Sequence, residues 1–279
     1  MLDVLSIGNA NIDIYNNKQF LGGSANNFAV ACAKLGLKSG FLGFVGNDKN
    51  GRLIINNLKK NNVKSFVKIV NEKTGTVKIL SEGFNKKFEK IIGANENLKK
   101  LDLKPYLKEA NHFHFATPPI ELLKKIPFNL SVSVDSGSKL SEYSIKELKP
   151  YLKNVRIFFA TEDELKKITN KSYKMAAKEL IQIGVKIVAI KRKTTGVYIK
   201  SKDEECNINY INGKIVDATG GGDAFASAFL NGIILGKSLR RAGEDGIISS
   251  YYKIQRLGAQ NSPKIKKIND FVKNIEKYF

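Results

Sequence analysis

Short apolar runs alternate with helix-like stretches along most of this chain. The runs that predict buried strands are VLSI (4–7), GFLGFVG (40–46), HFHFA (112–116), LSVSV (130–134), RIFFA (156–160) and KIVAI (186–190). The segments between them, such as residues 24–35 and 51–61, carry apolar side chains at helical spacing. This alternation is typical of βαβ units, so we expect an α/β fold built on a mainly parallel sheet.

Two parts of the chain depart from this alternation. Residues 64–92 hold FVKIV, TVKIL and FEKII, separated by NEKTG and SEGFNKK, which predicts consecutive strands joined by turns. GVYIK (196–200) and INYIN (208–212) predict antiparallel strands near the edge of the sheet. Three further helices are expected at 223–236, 239–256 and 264–278. No repeat or linker interrupts residues 1–279, so we expect one domain, with strands within about 64–92 forming a small lid.

The composition is that of an ordinary globular protein. Hydrophobic residues make up 42% of the chain and charged residues 26%. No apolar run reaches the length of a membrane span, and no basic segment precedes an apolar run at the N-terminus, so we expect neither membrane insertion nor secretion. Cys32 and Cys206 lie far apart in no metal-binding spacing, which favours a reducing, cytoplasmic location.

The strong positive charge raises the question of nucleic acid binding. The formal net charge is +21, from 47 Lys and Arg against 26 Asp and Glu. However, the lysines are scattered as pairs, and no Arg-rich arm or basic stripe with interleaved aromatic residues is present. We therefore favour a solvated basic surface that attracts small anions over a specific nucleic acid site.

Several motifs are better explained by structure than by chemistry. GIILGKS (232–238) is one residue short of a phosphate-binding GxxxxGK[ST] loop, so Gly236 is interpreted as a helix end and Ser238 as the cap of the next helix. His112 and His114 share one face of a strand without a nearby Cys or acidic ligand, which favours packing over metal binding. The first strand is not followed by GxGxxG, which argues against a dinucleotide site.

The segment DATGGGDAF (217–225) is a candidate phosphate site. Three glycines precede an apolar helix, and the free N–H groups of a helix N-terminus bind anions that can approach a backbone without Cβ atoms. Asp223 would weaken phosphate binding, yet it could accept the proton of an attacking hydroxyl. Alternatively, the glycines form a tight turn and Asp223 stabilises the helix dipole.

The N-terminal region adds a candidate site for a hydroxyl-rich ligand. Asn11 and Asp13 follow the first strand, where the ligands of open α/β sheets bind. Gly22 and Gly23 then open a helix with Asn26 and Asn27 in its first turn. Carboxylates accept hydrogen bonds from vicinal hydroxyls, and amides both donate and accept. Together with residues 217–225, these residues supply one polyol site and one phosphate site.

At this point the sequence resembles the ribokinase-like (PfkB-type) carbohydrate kinases. The resemblance rests on DATGGGDAF, on the Gly22-Gly23…Asn26 helix start, and on FVGNDKNG (44–51), GAN (93–95) and LGAQNSP (257–263). It extends over nearly the whole chain. It implies a three-layer α/β/α fold and ATP-dependent phosphorylation of a hydroxymethyl group.

The resemblance also implies roles for individual residues. Asp223 would be the base, and the amides of Gly220, Gly221 and Gly222 would form an anion hole. The residues expected to hold the sugar are Asn11, Asp13, Gly22, Gly23 and Asn26. The residues expected near ATP are Thr219, Lys191 and Gly258, although a solvated position for Lys191 is left open. Mg²⁺ would be held through water near Glu164, and the resemblance leaves room for a monovalent cation.

Two departures from the family pattern qualify these expectations. The family's N-x-x-E stands here as TEDE (161–164), so Thr161 replaces the asparagine while Glu164 is kept. Only residues 14–21 separate the Asp13 region from Gly22, where the family inserts further strands. We therefore expect a reduced lid that has lost its partner hairpin. Such a lid would leave the sugar site more open or alter the oligomer, and we expect a monomer or a homodimer.

Three functions remain in consideration. A sugar kinase is the leading hypothesis, and a nucleoside kinase of the same family follows because a reduced lid leaves room for a base. A non-catalytic sugar- or nucleotide-binding protein is the third, favoured by Thr161 and the shortened lid and opposed by the intact glycine loop. In each case the expected partner is a small molecule, with no specific nucleic acid and no membrane.

Overall fold

The computed structural model describes residues 1–80, 88–193 and 195–276 of the chain. Its strands are β1 (Leu2–Gly8), β2 (Asn11–Tyr15), β3 (Lys18–Gly22), β4 (Ser39–Leu42), β5 (Phe44–Gly46), β6 (Lys64–Ser65), β7 (Lys68–Val70), β8 (Gly75–Ile79), β9 (Phe88–Ile91), β10 (Ala110–Ala116), β11 (Val132–Asp135), β12 (Val155–Thr161), β13 (Ile187–Arg192), β14 (Gly196–Ser201) and β15 (Glu205–Ile208). Its α-helices are α1 (Ser24–Lys34), α2 (Lys49–Lys60), α3 (Ile120–Leu123), α4 (Gly137–Leu140), α5 (Ile145–Leu152), α6 (Glu162–Thr169), α7 (Tyr173–Ile183), α8 (Gly221–Ile234), α9 (Leu239–Ile254) and α10 (Ile265–Glu276). Two 3₁₀ helices lie at Gly93–Lys100 and Lys104–Tyr106.

The described residues form a nine-stranded central sheet in the order β15-β14-β13-β12-β11-β10-β1-β4-β6. Every neighbouring pair from β13 to β6 is parallel, whereas β14 and β15 are antiparallel additions at one edge. The apolar runs thus form the buried strands of a mainly parallel sheet, as predicted from their continuous hydrophobicity.

Helices cover both faces of this sheet. On one face, α1, α8 and α9 bury apolar side chains that include Phe28, Phe225 and Phe229. On the other face, α5, α6 and α7 bury a second cluster that includes Leu148 and Leu165. Burial of these faces is the main favourable contribution to folding, and it gives the expected three-layer α/β/α arrangement. Among the described helices, none has the length and hydrophobicity that a membrane crossing would require.

A small second sheet corrects the prediction of a missing hairpin. Its order is β3-β2-β8-β9, so the hairpin expected to be lost is formed by residues 11–22. Asn16 and Asn17 connect β2 to β3 with φ values of 46° and 60°. Two successive positive φ angles are what a tight two-residue hairpin needs, and asparagine tolerates them. The β8–β9 hairpin is confirmed, and its predicted turn SEGFNKK lies outside the described residues.

Other boundaries differ from the predictions. Residues 40–46 form two strands rather than one, because β4 joins the central sheet and β5 pairs with β7 in a separate small sheet. FVKIV does not form a hairpin with its neighbours, since β6 and β7 run parallel to β4 and β5. The outermost strand is Glu205–Ile208 rather than 208–212. Helix α10 is described to Glu276, so the predicted positions 277–278 lie outside the described residues.

The motifs interpreted as structural have structural roles. Gly236 has a φ of 72° beyond the end of α8, and the Ser238 side chain caps α9. His112 and His114 are buried, and a ring nitrogen of each lies 2.8 Å from the Ser133 hydroxyl. Burial lowers the pKa of each imidazole to about 3, so both histidines are neutral packing residues.

Candidate active site

The predicted site residues meet at the carboxyl ends of the parallel strands. Strand β1 lies between β4 and β10, and the chain builds first on the β4 side and later on the β10 side. Such a reversal of strand order leaves a crevice beyond the strand ends, where ligands of open α/β sheets bind. The N-terminus of α8 points into this crevice, with one cavity on each side of it. The cavity lined by Asp13 and Asp223 is called the acceptor cavity and the one lined by Lys191 and Gly222 the donor cavity, after the roles proposed for them below.

The glycine loop adopts a conformation that only glycine accommodates well. Gly220 is the N-cap of α8 with φ 78° and ψ 0°, and a Cβ there would lie 2.5 Å from the carbonyl oxygen of Ala259. The Gly221 amide donates to the Ala218 carbonyl at 3.1 Å, so this one of the three predicted anion-hole amides is already engaged. N–H groups in the first turn of a helix have no partner within the helix and can bind an anion.

The pKa of the Asp223 carboxyl group is raised toward neutral pH. It lies in the first turn of α8 at the wall of the acceptor cavity, and Asn27 Nδ2 donates to its Oδ2 at 2.9 Å. Burial raises the pKa of Asp223 to about 6, with a further upward contribution from Asp135. The Asn27 hydrogen bond and the Lys191 ammonium oppose this rise. A carboxylate with this pKa is mostly ionised at pH 7 and is still able to accept a proton.

The acceptor cavity has a volume of about 340 Å³, within the range of small-molecule sites. Five of the predicted site residues line it. Asn11, Asp13 and Gly23 were expected to hold the sugar, and Gly220 and Asp223 were expected to take part in catalysis. Asn95 Nδ2 donates to Asn11 Oδ1 at 2.8 Å, and Asn95 Oδ1 accepts from the Ala10 amide at 3.1 Å. These bonds fix the orientation of the Asn11 amide toward the cavity. Val77, Ile91 and Ile92 of the small sheet and the segment after it add apolar walls.

Two of the predicted sugar-binding residues have other positions. Asn26 is fully buried, and its Nδ2 donates to the Gly22 carbonyl at 3.0 Å, so it braces the helix start. Asn27, one position later and on another face of the helix, lines the cavity instead. A Cβ on Gly22 would lie 2.2 Å from Asp13 Oδ2. Gly22 is therefore required for the placement of the Asp13 carboxylate, and it does not line the cavity itself.

The donor cavity lies on the other side of the glycine loop and has a volume of about 460 Å³. Its wall is mostly apolar and aromatic, with a few polar groups at the end nearest to α8. The apolar and aromatic residues are Val197, Tyr210, Ile211, Ile215, Phe225, Ile247, Tyr251 and Ile254. Gly221, Gly222 and Lys191 line the end nearest to α8. A flat apolar ring with an anionic tail matches this distribution.

Lys191 is a buried cation in the wall of the donor cavity. Its Nζ lies 2.8 Å from Asp135 Oδ2, and the two side chains are 13% and 10% exposed. Burial alone would lower the pKa of Lys191, but Asp135, Glu164 and Asp223 raise it to about 12, so the ammonium is charged. The Nζ lies 3.1 Å from the position that a Cβ on Gly222 would take. The structure therefore favours a position facing the glycine loop over the solvated alternative.

Thr161 and Glu164 form the capping box of α6. Thr161 Oγ1 accepts from the Glu164 amide at 3.2 Å, and Glu164 Oε2 accepts from the Thr161 amide at 2.8 Å. The same Oε2 accepts from Ser136 Oγ at 2.9 Å. Thr161 thus replaces asparagine at a position where a hydroxyl is a good helix cap. No cluster of three or more Cys, His, Asp or Glu suited to metal binding occurs among residues 1–80, 88–193 and 195–276.

The two remaining residues expected near ATP lie elsewhere. Thr219 lines the acceptor cavity, and its amide donates to Asp217 Oδ1 at 3.0 Å. The Gly258 amide donates to Asp217 Oδ2 at 2.9 Å, and Gly258 is buried against Phe20 outside the donor cavity. Both residues support the glycine loop through Asp217.

Sequence reasoning gave no role to Asn95 or Asp135, and it named Asn27 only as a polar residue of the helix start. Asn27, Asn95 and Asp135 each hydrogen-bond to a predicted site residue. Asp135 could have been noticed because it ends the apolar run LSVSVD, as acidic residues at strand ends often face ligands. Asn95 lies in GAN, which the resemblance had already marked without a role.

Comparison with known proteins finds similar sequences and structures. The chain is 28% identical over 243 residues to an "Uncharacterized sugar kinase" of Archaeoglobus fulgidus, covering 83% of this chain and 97% of the relative. It is 28% identical over 278 residues to a nucleoside kinase of Methanocaldococcus jannaschii, covering 97% of this chain and 90% of the relative. The structure of Arabidopsis thaliana ribokinase with ribose and ATP superposes with a TM-score of 0.81 at 22% identity, covering 98% and 99% of the two chains.

The family follows from a match over almost the whole chain. The sequence profile of the pfkB family carbohydrate kinases matches residues 1–266, which include both cavities and the glycine loop. Sugar and nucleoside kinases of this kind transfer a phosphoryl group to an alcohol. The chain therefore belongs to the pfkB family of carbohydrate kinases and is a phosphotransferase with an alcohol group as acceptor.

Proposed function

We propose that this chain transfers the γ-phosphoryl group of ATP to a hydroxymethyl group of a sugar or sugar derivative. One observation carries the proposal: the start of α8 is the common wall of the two cavities. Gly220 and Asp223 face the acceptor cavity, and Gly221 and Gly222 face the donor cavity. A hydroxyl in one cavity and a phosphate in the other would thus meet across a single helix turn, which is the proximity that in-line transfer requires.

In this proposal Asp223 is the general base. Its carboxylate accepts the proton of the acceptor hydroxyl as that oxygen forms a bond to the γ-phosphorus and the bond to the β-phosphate oxygen breaks. The N–H groups at the start of α8 and the Lys191 ammonium stabilise the negative charge on the transferred group. Asn27 holds the Asp223 carboxylate in place through the 2.9 Å hydrogen bond.

The donor cavity fits ATP, and the acidic groups beside it fit a hydrated Mg²⁺ ion. The apolar walls suit the adenine ring, and Lys191 and Gly222 at the inner end suit the phosphates. Ser136 Oγ and the Thr161 amide both donate to Glu164 Oε2, so Oε1 would be the oxygen that accepts from metal-bound water. When bound, Mg²⁺ would neutralise charge on the phosphates.

A nucleoside is the second candidate acceptor. The acceptor cavity combines hydroxyl-binding groups such as Asn11 and Asp13 with apolar walls at Val77, Ile91 and Leu98. The polar end would bind the ribose hydroxyls and the apolar walls would contact a base. The nucleoside kinase of M. jannaschii, which aligns over 97% of this chain, also supports this candidate. In both cases the reacting group and its base are the same.

A substrate panel tests the proposal. The purified chain is incubated with ATP, Mg²⁺ and a range of sugars, sugar phosphates, sugar acids and nucleosides, and ADP release is measured. We expect ADP release that depends on one acceptor class and a phosphorylated product of the corresponding mass. If no acceptor is phosphorylated while ATP and a sugar or nucleoside still bind, the chain is a non-catalytic binding protein and the proposal is wrong.

A further inference from the structure

Lys253 is a buried lysine that the proposed chemistry does not use. It lies in the last turn of α9 and has no solvent exposure. Lysine is rarely buried to this extent unless its charge is compensated, because removing an ammonium from water is costly. Its position beneath the glycine loop therefore needs an explanation.

Oxygen atoms surround the Lys253 ammonium. Its Nζ donates to the Asp217 carbonyl at 2.7 Å and to the Arg256 carbonyl at 3.4 Å, and it lies 3.7 Å from Asp217 Oδ2. Carbonyl and carboxylate oxygens are the ligands that hard cations take in proteins. The carbonyl end of α9 adds the negative end of a helix dipole, which favours a cation there. The ammonium thus occupies a place that would otherwise suit a bound monovalent cation.

This cation is connected to the reacting groups through Asp217. The amides of Val216 and Asp217 donate to the Ile254 carbonyl at 2.8 and 2.9 Å, next to Lys253 on α9. The Asp217 carboxylate then accepts from the amides of Thr219 and Gly258. The positive charge of Lys253 also acts on Asp223, whose pKa it lowers against the effect of burial.

We infer that the Lys253 ammonium is a built-in monovalent cation that positions residues 217–222, so that phosphoryl transfer needs no bound alkali ion. Lys253 is a positioning residue in this scheme, since it acts through Asp217 and touches neither substrate. The inference rests on the proposed function for its kinetic consequences, but the occupancy of the oxygen cage can be tested without any substrate.

Two substitutions separate the charge from the space that the side chain fills. Lys253→Met keeps most of the stem and removes the charge, so kcat should fall by about tenfold or more while the KM of the acceptor changes little. Lys253→Ala opens the oxygen cage to a free ion. NH₄⁺ or K⁺ should therefore raise the kcat of this variant about fivefold or more, whereas tetramethylammonium should leave it unchanged. Lys237→Met is the matched control, because Lys237 pairs with Asp245 beyond the other end of α8, and its kcat should not change.

The wild-type enzyme should have the same kcat, within about twofold, in K⁺, Na⁺ or tetramethylammonium chloride. Activation of the wild type by K⁺, or an unchanged kcat in folded Lys253→Met, would overturn the inference. If both variants fail to fold, the wild-type ion series decides.

If no acceptor is phosphorylated at all, melting curves decide. Lys253→Ala should melt at a higher temperature in KCl or NH₄Cl than in tetramethylammonium chloride, and the melting temperature of the wild type should not differ between these salts. Equal melting temperatures of Lys253→Ala in all three salts would contradict the inference.

Discussion

Replacing Asp223 by asparagine separates its role as a base from its effect on stability. The substitution keeps the shape of the side chain, and the amide oxygen can still accept the Asn27 hydrogen bond of 2.9 Å. An amide cannot take the proton of an alcohol, so kcat should fall by about 10² to 10⁴-fold. Binding of the acceptor should persist, because the other polar groups of the acceptor cavity are unchanged.

The same substitution should stabilise the protein at alkaline pH. The pKa of Asp223 rises from its ordinary 3.8 to about 6 because the carboxylate is buried. A shift of about two units corresponds to about 3 kcal/mol, and contact of the cavity wall with solvent reduces this to about 1–2 kcal/mol. A raised acid pKa means that ionisation opposes folding. The penalty is therefore complete above pH 6, shrinks by about half near pH 5 and disappears below 3.8.

Urea unfolding of the wild type and Asp223→Asn at pH 8 and pH 5 measures this difference, and ADP release measures kcat. The expected result is a more stable variant at pH 8, a smaller gain at pH 5 and almost no turnover. A loss of kcat below about tenfold, or a stability gain equal at both pH values, would refute the assignment of Asp223 as a buried base.

Three further substitutions test the groups around Asp223. Asn27→Ala removes a hydrogen bond to the ionised carboxylate, so the midpoint of the kcat–pH profile should move up by about one unit; Asn26→Ala should lower stability in urea without that shift. Lys191→Met removes a cation near Asp223, so the midpoint of the kcat–pH profile should also rise. The KM for ATP should increase by about tenfold, and an unchanged KM would exclude Lys191 from phosphate binding. Gly222→Ala would place a Cβ 3.1 Å from Lys191 Nζ, so kcat should fall severalfold with little change in melting temperature.

The central sheet was predictable because the local pattern of hydrophobic residues is sufficient to predict its strands. Continuous apolar runs such as HFHFA and RIFFA can be buried on both faces, and the helix-like segments between them require parallel pairing. The start of α8 was predictable for a similar reason. Three glycines before an apolar helix have few structural uses, and the structure gives Gly220 a left-handed φ of 78°.

The parts that sequence reasoning missed depend on contacts between distant residues or on helix register. Asp135 and Lys191 are 56 positions apart and meet only because β11 and β13 flank β12 in the sheet. Asn26 and Asn27 differ by one position, and about 100° of rotation on a helix decides which of them faces the cavity. The hairpin of residues 11–22 was overlooked because its two-asparagine turn lacks the glycine that usually marks such turns.

The placement of the two cavities on opposite sides of α8 has a kinetic consequence. Gly220 and Asp223 line one cavity, and Gly221 and Gly222 line the other, so the two cavities can be occupied at the same time. Under the proposed function, donor and acceptor must therefore be bound together for direct transfer. Initial rates measured at several concentrations of both substrates should give intersecting double-reciprocal lines, whereas parallel lines would indicate a phosphorylated enzyme intermediate.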